Sequence, residues 1–441
     1  MNSVTLAPPS LQGAHRSIAV PAASAGWLAR VRRLGAFVGP GYLVAVGYMD
    51  PGNWATSLAA GSRYGTALLG VIVVSNLIAM MFQSAAVRLG VAGRIDLARA
   101  CRAHLPRSLN LLLWLGCEVA IVACNLAEVL GMAMGLELLF GIPMPIGVAL
   151  TAFDVAIVLA LQRRGFRCVE AVVAILVAVV AVCFLAQLAW AHPSLAAVLH
   201  GALPGARRFT EGEFVYLAVG IVGATVMPHN LYLHSAVVQT RRHDDSPGGT
   251  RHAIRCATAD SNVALALATS VNVAILVVAA SAFHRPGLAP VTDLSQAYRL
   301  ISPLLGVGIA STVFGVALLA SGLSASVTGT LAGQVVMEGF LSWKLGPGAR
   351  ALATRALAIG PALVAAAWFG TEGASKLLVL SQVILSLQLP FALLPLLLFT
   401  TRRRYLGAHA FGPWTATAMW LAAGLVVALN LWMLLRLCHA V

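Results

Sequence analysis

The stretch GYMDPGNW, residues 47–54, interrupts an apolar segment that is otherwise long enough to cross a membrane as one helix. Pro51 cannot donate a backbone hydrogen bond and clashes with the preceding turn, so a helix kinks or breaks there. Asp50 would place a carboxylate at bilayer depth, where a charge is costly and therefore indicates a function. A second apolar segment contains ATVMPHN, residues 224–230, which repeats the X-Pro-X-Asn form. Together the two stretches predict a pair of membrane helices that are broken in the middle.

The composition favours a membrane protein over a soluble one. Of 441 residues, 59% are hydrophobic and only 10% are charged, whereas a soluble domain has roughly 45–50% apolar and about 25% charged residues. So few charges cannot cover a water-facing surface, which argues against a disordered chain, a nucleic-acid-binding protein and a cytosolic enzyme. The seven cysteines form no CxxC pair and several lie in apolar runs, so we interpret them as small hydrophobic side chains.

Eleven segments are long and apolar enough to be membrane spans, at about 20 residues or more each. They are residues 34–58, 65–91, 108–136, 143–161, 168–190, 213–239, 258–283, 303–339, 351–370, 376–399 and 413–437. With a cytoplasmic N-terminus, the inner segments carry 21 basic residues and the outer loops carry 6. This asymmetry is the one expected for membrane proteins, and with eleven spans it places the C-terminus outside the cytoplasm.

The positions of the two breaks predict an internal repeat. Each break lies in the first helix of a five-helix set, 34–190 and 213–399, and such pairing indicates a midplane binding site in an inverted-repeat transporter. We therefore expect an all-α polytopic membrane protein of five plus five helices and an eleventh. The remaining parts are an N-terminal tail (1–33), an external loop (191–212), and a loop with the last helix (400–441).

The residue types at the breaks suggest a metal site. Asp50 brings a negative charge, Asn53 a neutral oxygen and Met227 a thioether. Unwound carbonyl groups near Gly47 and Ala224 would complete the shell. Oxygen ligands suit hard or borderline dications, while a thioether favours softer transition metals over Ca²⁺ and Mg²⁺, so the set indicates Mn²⁺ or Fe²⁺. The alternative is a pair of kinked structural helices with a methionine in the core.

These motifs resemble those of the Nramp family of divalent-metal transporters. The resemblance rests on DPGN (50–53) and MPHN (227–230), and it continues in GPG (39–41), AEVLG (127–131), GQVVMEGF (333–340) and QLPFA (388–392). It implies a LeuT-like fold, alternating access, and proton-linked uptake of Mn²⁺ and Fe²⁺ into the cytoplasm. It also implies that Asp50, Asn53 and Met227 are side-chain metal ligands, that Gly47 and Ala224 contribute carbonyls, and that Gln382 approaches the metal in an occluded state.

Titratable groups near the breaks are candidates for the proton route. Glu118, Asn125 and Glu128 share one face of the third span because they are seven and three residues apart. The family resemblance implies that Glu128, His229 and Arg355 carry or gate protons, and that Glu118 extends the network. His234 lies a turn beyond His229. A polar cluster that only holds helices together is the alternative, above all for His234 and Glu118.

Asn125 departs from the family pattern, which usually has an aspartate there. Asparagine forms hydrogen bonds but does not titrate. Our hypothesis is that metal transport persists while its proton coupling is weakened or rerouted through Glu128 and His229. Two other acids in the first repeat, Asp154 and Glu170, are interpreted as interhelical hydrogen-bonding or snorkelling residues near helix ends or on outer helices.

Other functions remain as alternatives. A Na⁺- or H⁺-coupled amino-acid carrier would have the same architecture, but Asp50 would repel the substrate carboxylate. A membrane enzyme using His229 with Asp50 or Glu128 lacks a supporting motif, and a passive channel lacks repeated filter-like segments. We expect a monomer in a bacterial inner membrane, whose partners are the lipid bilayer, protons and the divalent cation. No cofactor, nucleic acid or enzymatic activity is expected.

Overall fold

The computed structural model describes residues 11, 14–21, 27–201, 205–287, 289–341 and 347–439, and most of this part is helical. The helices of the membrane spans are, in chain order, Pro40–Ala45 with Pro51–Tyr64, Leu69–Ala92, Arg107–Phe140, Met144–Leu150 with Asp154–Arg163, Phe166–Ala191, Gly212–Thr225 with Pro228–Val237, Pro247–Phe283, Ala310–Leu341, residues 347–369, Gly370–Thr401 and Pro413–His439. We number these spans one to eleven.

Shorter elements connect the spans. Helices lie at Trp27–Phe37, Leu97–His104, Leu195–Gly201, Leu294–Leu305 and Arg403–Leu406, and 3₁₀ turns lie at Val46–Met49, Thr151–Phe153, Ala206–Thr210, Val238–Thr240 and Gly407–His409. The only strands of the described part are Ile18–Ala19 and Arg241–Arg242, which pair in parallel.

The span count agrees with the sequence prediction. Within the described residues nine helices are long and apolar enough to cross a membrane, and two shorter apolar helices, Leu34–Met49 and Leu352–Trp368, complete the eleven. Large apolar side chains on the outward faces are exposed, for example Leu112, Ile175 and Leu421. Such extensive apolar exposure is expected for lipid-facing surfaces and not for a soluble monomer.

The predicted start of the eighth span is wrong. The segment 303–339 is not one helix, because a separate amphipathic helix, Leu294–Leu305, ends at Gly306 in the left-handed conformation (φ 70°). The span itself begins at Ala310. The ninth and tenth spans follow each other directly at Gly370, where a non-helical φ of 59° separates the two helices without a loop. Lys344, counted among the inner basic residues, lies outside the described residues.

Proline explains why the first and sixth spans break where they do. An α-helical carbonyl accepts from the residue four positions later, and for Gly47 and Ala224 that residue is Pro51 or Pro228, which has no N–H. The chain is accordingly non-helical at Asp50 (φ −68°, ψ 162°) and at Met227 (φ −17°, ψ 115°). Each proline then begins a new helix, where its missing donor has no cost.

A clamp of charged side chains holds the N-terminal end of the first span. Arg241 donates to the Val38 carbonyl at 2.7 Å and pairs with Glu170 at 2.6 Å. Asp260, on the seventh span, accepts from the backbone N–H of Gly41 at 2.7 Å. The first span is therefore fastened at this end to the fifth, sixth and seventh spans. Glu170 thus forms an interhelical contact, as predicted.

The N-terminal segment is docked beside this clamp. Ile18 pairs with Arg241 in the two-stranded sheet, and Asp245 forms ion pairs with Arg16 and Arg94, each at 2.8 Å. The hydrogen bond from Arg16 is the main cause that lowers the pKa of Asp245, with smaller contributions from the charges of Arg16 and Arg94. These ion pairs therefore persist as long as the pH stays above that lowered pKa.

The eleventh span is bonded to the tenth through a third proline. Pro390 leaves the Ser386 carbonyl without a helical donor, and the Asn430 amide of the eleventh span donates to that carbonyl at 2.9 Å. The Ser386 hydroxyl in turn donates to the Asn430 side-chain oxygen at 2.9 Å. This reciprocal pair joins the last helix to the bundle.

Replacement of Asn430 by alanine should destabilise the bundle by about 1 kcal/mol, because the Ser386 carbonyl loses its partner inside the membrane. We expect a lower melting temperature in detergent than for the intact chain. Leu431→Ala, which truncates an exposed neighbour, is the matched control and should melt near the intact chain. Equal melting temperatures for both variants would contradict the assignment.

Candidate metal site

Asp50 is fully buried at the break of the first span. It caps the helix that follows, since one carboxylate oxygen accepts from the Asn53 backbone N–H at 2.9 Å. The other oxygen accepts from the Gln382 side-chain amide at 3.2 Å. The break thus presents a carboxylate to the tenth span in a region from which water is excluded.

Met227 lies against the first span from the break of the sixth. It is fully buried, and a Cβ atom placed on Gly47 would lie 2.8 Å from its sulfur. The Asn230 amide nitrogen is 3.6 Å from the same sulfur and 3.3 Å from the Val44 carbonyl. The absence of a side chain at Gly47 is therefore what allows the thioether to approach the broken backbone.

Two neutral amides complete the polar lining. The Asn53 side-chain nitrogen donates to the Tyr48 carbonyl at 2.6 Å, which leaves its oxygen with only a long contact of 3.4 Å to the Ser57 hydroxyl. The Gln382 side-chain oxygen is buried and has no hydrogen-bond partner within the described residues. Both amides thus retain an oxygen that can accept from, or coordinate, a positive group.

Glycines let the three spans meet closely. A Cβ on Gly52 would overlap the Gln382 amide, and a Cβ on Gly223 would overlap the Gln382 carbonyl and lie 2.7 Å from the Ser386 nitrogen. A Cβ on Gly131, in the third span, would overlap the Pro51 ring. The first, sixth and tenth spans are therefore closely packed around Asp50, with the third span behind the break.

The structure brings the six predicted metal-site residues to the two breaks and the tenth span. These are Asp50, Asn53, Met227, Gly47, Ala224 and Gln382. Among the described residues no group of three or more His, Cys, Asp or Glu side chains is arranged to hold a metal ion. The residues at the two breaks and on the tenth span offer one carboxylate, amide and carbonyl oxygens, and one sulfur, which is the donor set of a borderline dication.

A second polar cluster surrounds Arg355. Its guanidinium pairs with Glu128 at 3.1 Å and with Asp154, and it donates to the Asn125 side-chain oxygen at 3.4 Å. The Ser326 hydroxyl donates to Asp154 at 2.6 Å. All five side chains are buried. We call this set, from the third, fourth, eighth and ninth spans, the Arg355 cluster.

The other residues predicted for the proton route lie outside this cluster. Glu118 is half-buried and accepts from the Trp114 indole at 3.0 Å, and it lies ten residues, or about 15 Å along the helix, from Glu128. His229 is buried and its Nδ1 has no partner within the described residues. His234 contacts Gln83 at 2.8 Å, in a separate hydrogen-bond chain.

Cys124 connects the metal site to the Arg355 cluster. Its thiol donates to the Glu128 carboxylate at 3.6 Å, and the same side chain packs in a buried group with Met227. Glu128 and Asp50 are also close enough for their carboxylates to interact electrostatically. A charge that enters one site is therefore felt at the other.

The sequence analysis placed Asp154 near a helix end or on an outer helix, but it did not predict its pairing with Arg355. Asp154 is the first residue of the helix Asp154–Arg163, directly after the 3₁₀ turn, and lies midway along the fourth span, Met144–Arg163. Asp154 forms an ion pair with Arg355 of the ninth span. This contact agrees with the predicted interhelical hydrogen bonding and not with snorkelling. An acid at bilayer depth was the signal that identified Asp50, and the same signal could have identified Asp154.

Comparison with known proteins gives consistent matches. The family model described as natural resistance-associated macrophage protein-like (Nramp) matches residues 41–436. A divalent metal cation transporter MntH from Bradyrhizobium diazoefficiens is 55% identical over 422 residues, which cover 96% of this chain and 93% of the relative. The crystal structure of an Eremococcus coleocola manganese transporter, solved in complex with an aromatic bis-isothiourea substituted compound, is 36% identical with a TM-score of 0.87, covering 97% of this chain and 90% of the other.

A more distant solved structure shows how general the fold is. The crystal structure of MhsT in complex with L-phenylalanine superposes with a TM-score of 0.61 at 14% identity, covering 91% of this chain and 98% of the other. At that identity the likeness concerns the fold alone. It confirms the predicted LeuT-like arrangement of helices.

Gly131→Ala should destabilise the break in the first span by about 1–3 kcal/mol, because the new methyl group overlaps the Pro51 ring. Gly116→Ala in the same helix is the matched control, since its Cβ would meet only Gln388 at 3.7 Å. Because alanine favours helix by about 1 kcal/mol over glycine, the control should melt at or above the temperature of the intact chain. A Gly131 variant as stable as this control would show that the contact is not tight.

Proposed function

The chain belongs to the Nramp family, and on that premise we propose that it is a secondary active transporter that imports divalent transition-metal ions. Mn²⁺ is the expected main cargo, and Fe²⁺ and Cd²⁺ are expected to share its path. The observation that carries the proposal is a pair of buried groups at the two helix breaks: the carboxylate of Asp50 in the first span, and the thioether of Met227 in the sixth, which lies against Gly47 of the first. The protein acts by transport and not as an enzyme, and the metal is its substrate and not a cofactor.

The ligands proposed for the metal are the Asp50 carboxylate, the Asn53 and Gln382 amide oxygens, the Met227 sulfur, and the carbonyls of Gly47 and Ala224. The two carbonyls are the ones that prolines deprive of a helical donor. A site with one carboxylate and one sulfur disfavours Mg²⁺ and Ca²⁺, which prefer oxygen ligands throughout. Gln382 already contacts Asp50, so it is placed to close over the ion from the tenth span.

The amino-acid carrier is not favoured. In a site of this fold an amino-acid substrate would bring its own carboxylate to the broken helices. Asp50 occupies that place with a negative charge and is fully buried, so the two carboxylates would repel each other in a medium of low dielectric constant. A metal dication, in contrast, neutralises the carboxylate that the fold has buried.

Proton coupling is proposed to run through Glu128 and Arg355, with His229 beside the break of the sixth span. Support comes from the contact of Glu128 with both Arg355 and Cys124, which links it to Met227. Asn125 accepts a hydrogen bond from Arg355 but holds no exchangeable charge. Glu118 and His234 are assigned to more distant positions along the route.

The membrane placement is proposed from the distribution of charge. The N-terminus is assigned to the cytoplasm and the C-terminus to the opposite side of a bacterial inner membrane, since 21 of the basic residues then lie inside. The two five-helix repeats, 34–190 and 213–399, are taken to rock against each other around the metal, and a single chain supplies every proposed ligand. We therefore propose a monomer.

Met227→Ala should lower the affinity for Mn²⁺ and Cd²⁺ by about tenfold or more, equivalent to about 1.4 kcal/mol, and should leave Ca²⁺ binding unchanged or stronger. The measurement is calorimetric titration of the purified chain in detergent, with Asp50→Ala as the variant expected to lose binding of all these ions. Met134→Ala removes another buried methionine and is the matched control. Retained preference for Cd²⁺ over Ca²⁺ in Met227→Ala would remove the sulfur from the proposed site.

Two native cysteines test the orientation. Cys438 is exposed at the C-terminal end of the eleventh span, and Cys168 is partly exposed at the start of the fifth. In intact spheroplasts a membrane-impermeant maleimide should label Cys438, whereas Cys168 should react only after the membrane is opened. Variants of the chain that retain only Cys438 or only Cys168 serve as controls for one another. The reverse labelling pattern would invert the proposed topology.

A further inference from the structure

We propose that Asp154 is a proton-carrying residue of the transport cycle and supplies the titratable carboxylate that Asn125 lacks. The inference rests on the proposed function as a proton-linked metal transporter. Asp154 lies at mid-span in the fourth helix, is 95% buried, and shares the guanidinium of Arg355 with Glu128. One arginine thus joins an acid from the third span to an acid from the fourth.

The charge balance of the Arg355 cluster calls for one exchangeable proton. With both carboxylates ionised, Glu128, Asp154 and Arg355 carry a net charge of −1 inside the membrane, where an uncompensated charge is costly. One added proton makes the cluster neutral. The two carboxylates share this proton, so it is assigned to the pair of acids and not to one of them. An aspartate at position 125 would have made the cluster more negative, so asparagine there is compatible with the acid on the fourth span.

The surroundings of Asp154 leave an oxygen for that proton. Oδ2 accepts from both Arg355 and Ser326, whereas Oδ1 is buried and has no partner within the described residues. The charged groups of the fifth span, Arg167 and Glu170, are engaged with the clamp around Val38 and Arg241. The groups that face Asp154 are therefore Arg355, with Glu128 and Asn125 behind it, and the Ser326 hydroxyl.

Metal entry would release this proton by electrostatic repulsion. A dication at Asp50 raises the local positive potential, and the effect reaches Glu128 through the short contact path of Met227 and Cys124. The O–H bond of the protonated carboxyl then breaks, its electron pair stays on the carboxylate, and water accepts the proton. The cluster changes from neutral to −1 as the metal site gains two positive charges, so one proton leaves for each ion bound.

The test compares proton flux with Mn²⁺ uptake in liposomes for four forms of the full chain: intact, Asp154→Asn, Asn125→Asp, and the double variant. We expect Asp154→Asn to lower the ratio of protons to Mn²⁺ by about fivefold or more, while Mn²⁺ binding in detergent is retained but weakened by the same electrostatic coupling. The double variant, which returns the carboxylate to the third span, should recover most of the ratio. Glu137→Gln, on the outer part of the third span, is the control and should not change it.

Several outcomes would overturn the inference. One is an unchanged ratio in Asp154→Asn, including the case in which stability and uptake fall together, as for a purely structural ion pair. Another is a ratio that falls in Asp154→Asn but is not recovered in the double variant, or an intact chain that moves Mn²⁺ without protons. If the intact chain does not bind Mn²⁺, or if its binding does not depend on Asp50, then the proposed function itself is wrong.

Discussion

The structure depends on one property of proline, namely that it cannot donate a backbone hydrogen bond. In a membrane the carbonyl four residues earlier then has no partner from its own helix and none from lipid. Pro51 and Pro228 create this situation at Gly47 and Ala224, whose carbonyls are among the ligands proposed for the metal. At these two positions a dication would take the place of the missing N–H donor.

Pro390 creates the same situation at Ser386, but the outcome is different. There the eleventh span supplies a side-chain amide to the carbonyl, so nothing is left for a ligand. The contrast shows that a proline in a membrane helix does not by itself predict a binding site. What distinguishes the first two breaks is the acid and the thioether placed beside them, and the glycines that let the side chains of Met227 and Gln382 approach the broken first span.

The sequence predicted those features that depend on local chemistry. The two breaks, the acid and the thioether follow from short motifs, and the span count follows from apolar length, so both could be derived without knowing which helices touch. The start of the eighth span was misplaced because the run from Pro303 is apolar on both sides of Gly306. Interhelical hydrogen bonding was predicted for Asp154, but its partner was not, because Arg355 lies 201 residues away and no local pattern reports such a contact.

The docked N-terminal segment connects the beginning of the chain to both broken helices. Ile18 pairs with Arg241 in the strand pair that follows the sixth span, and Arg241 also donates to the Val38 carbonyl just before the first span. A force applied to the tail would therefore reach both of these helices. A fluorophore or affinity tag fused ahead of this point is thus attached to the part of the fold that carries the candidate metal site.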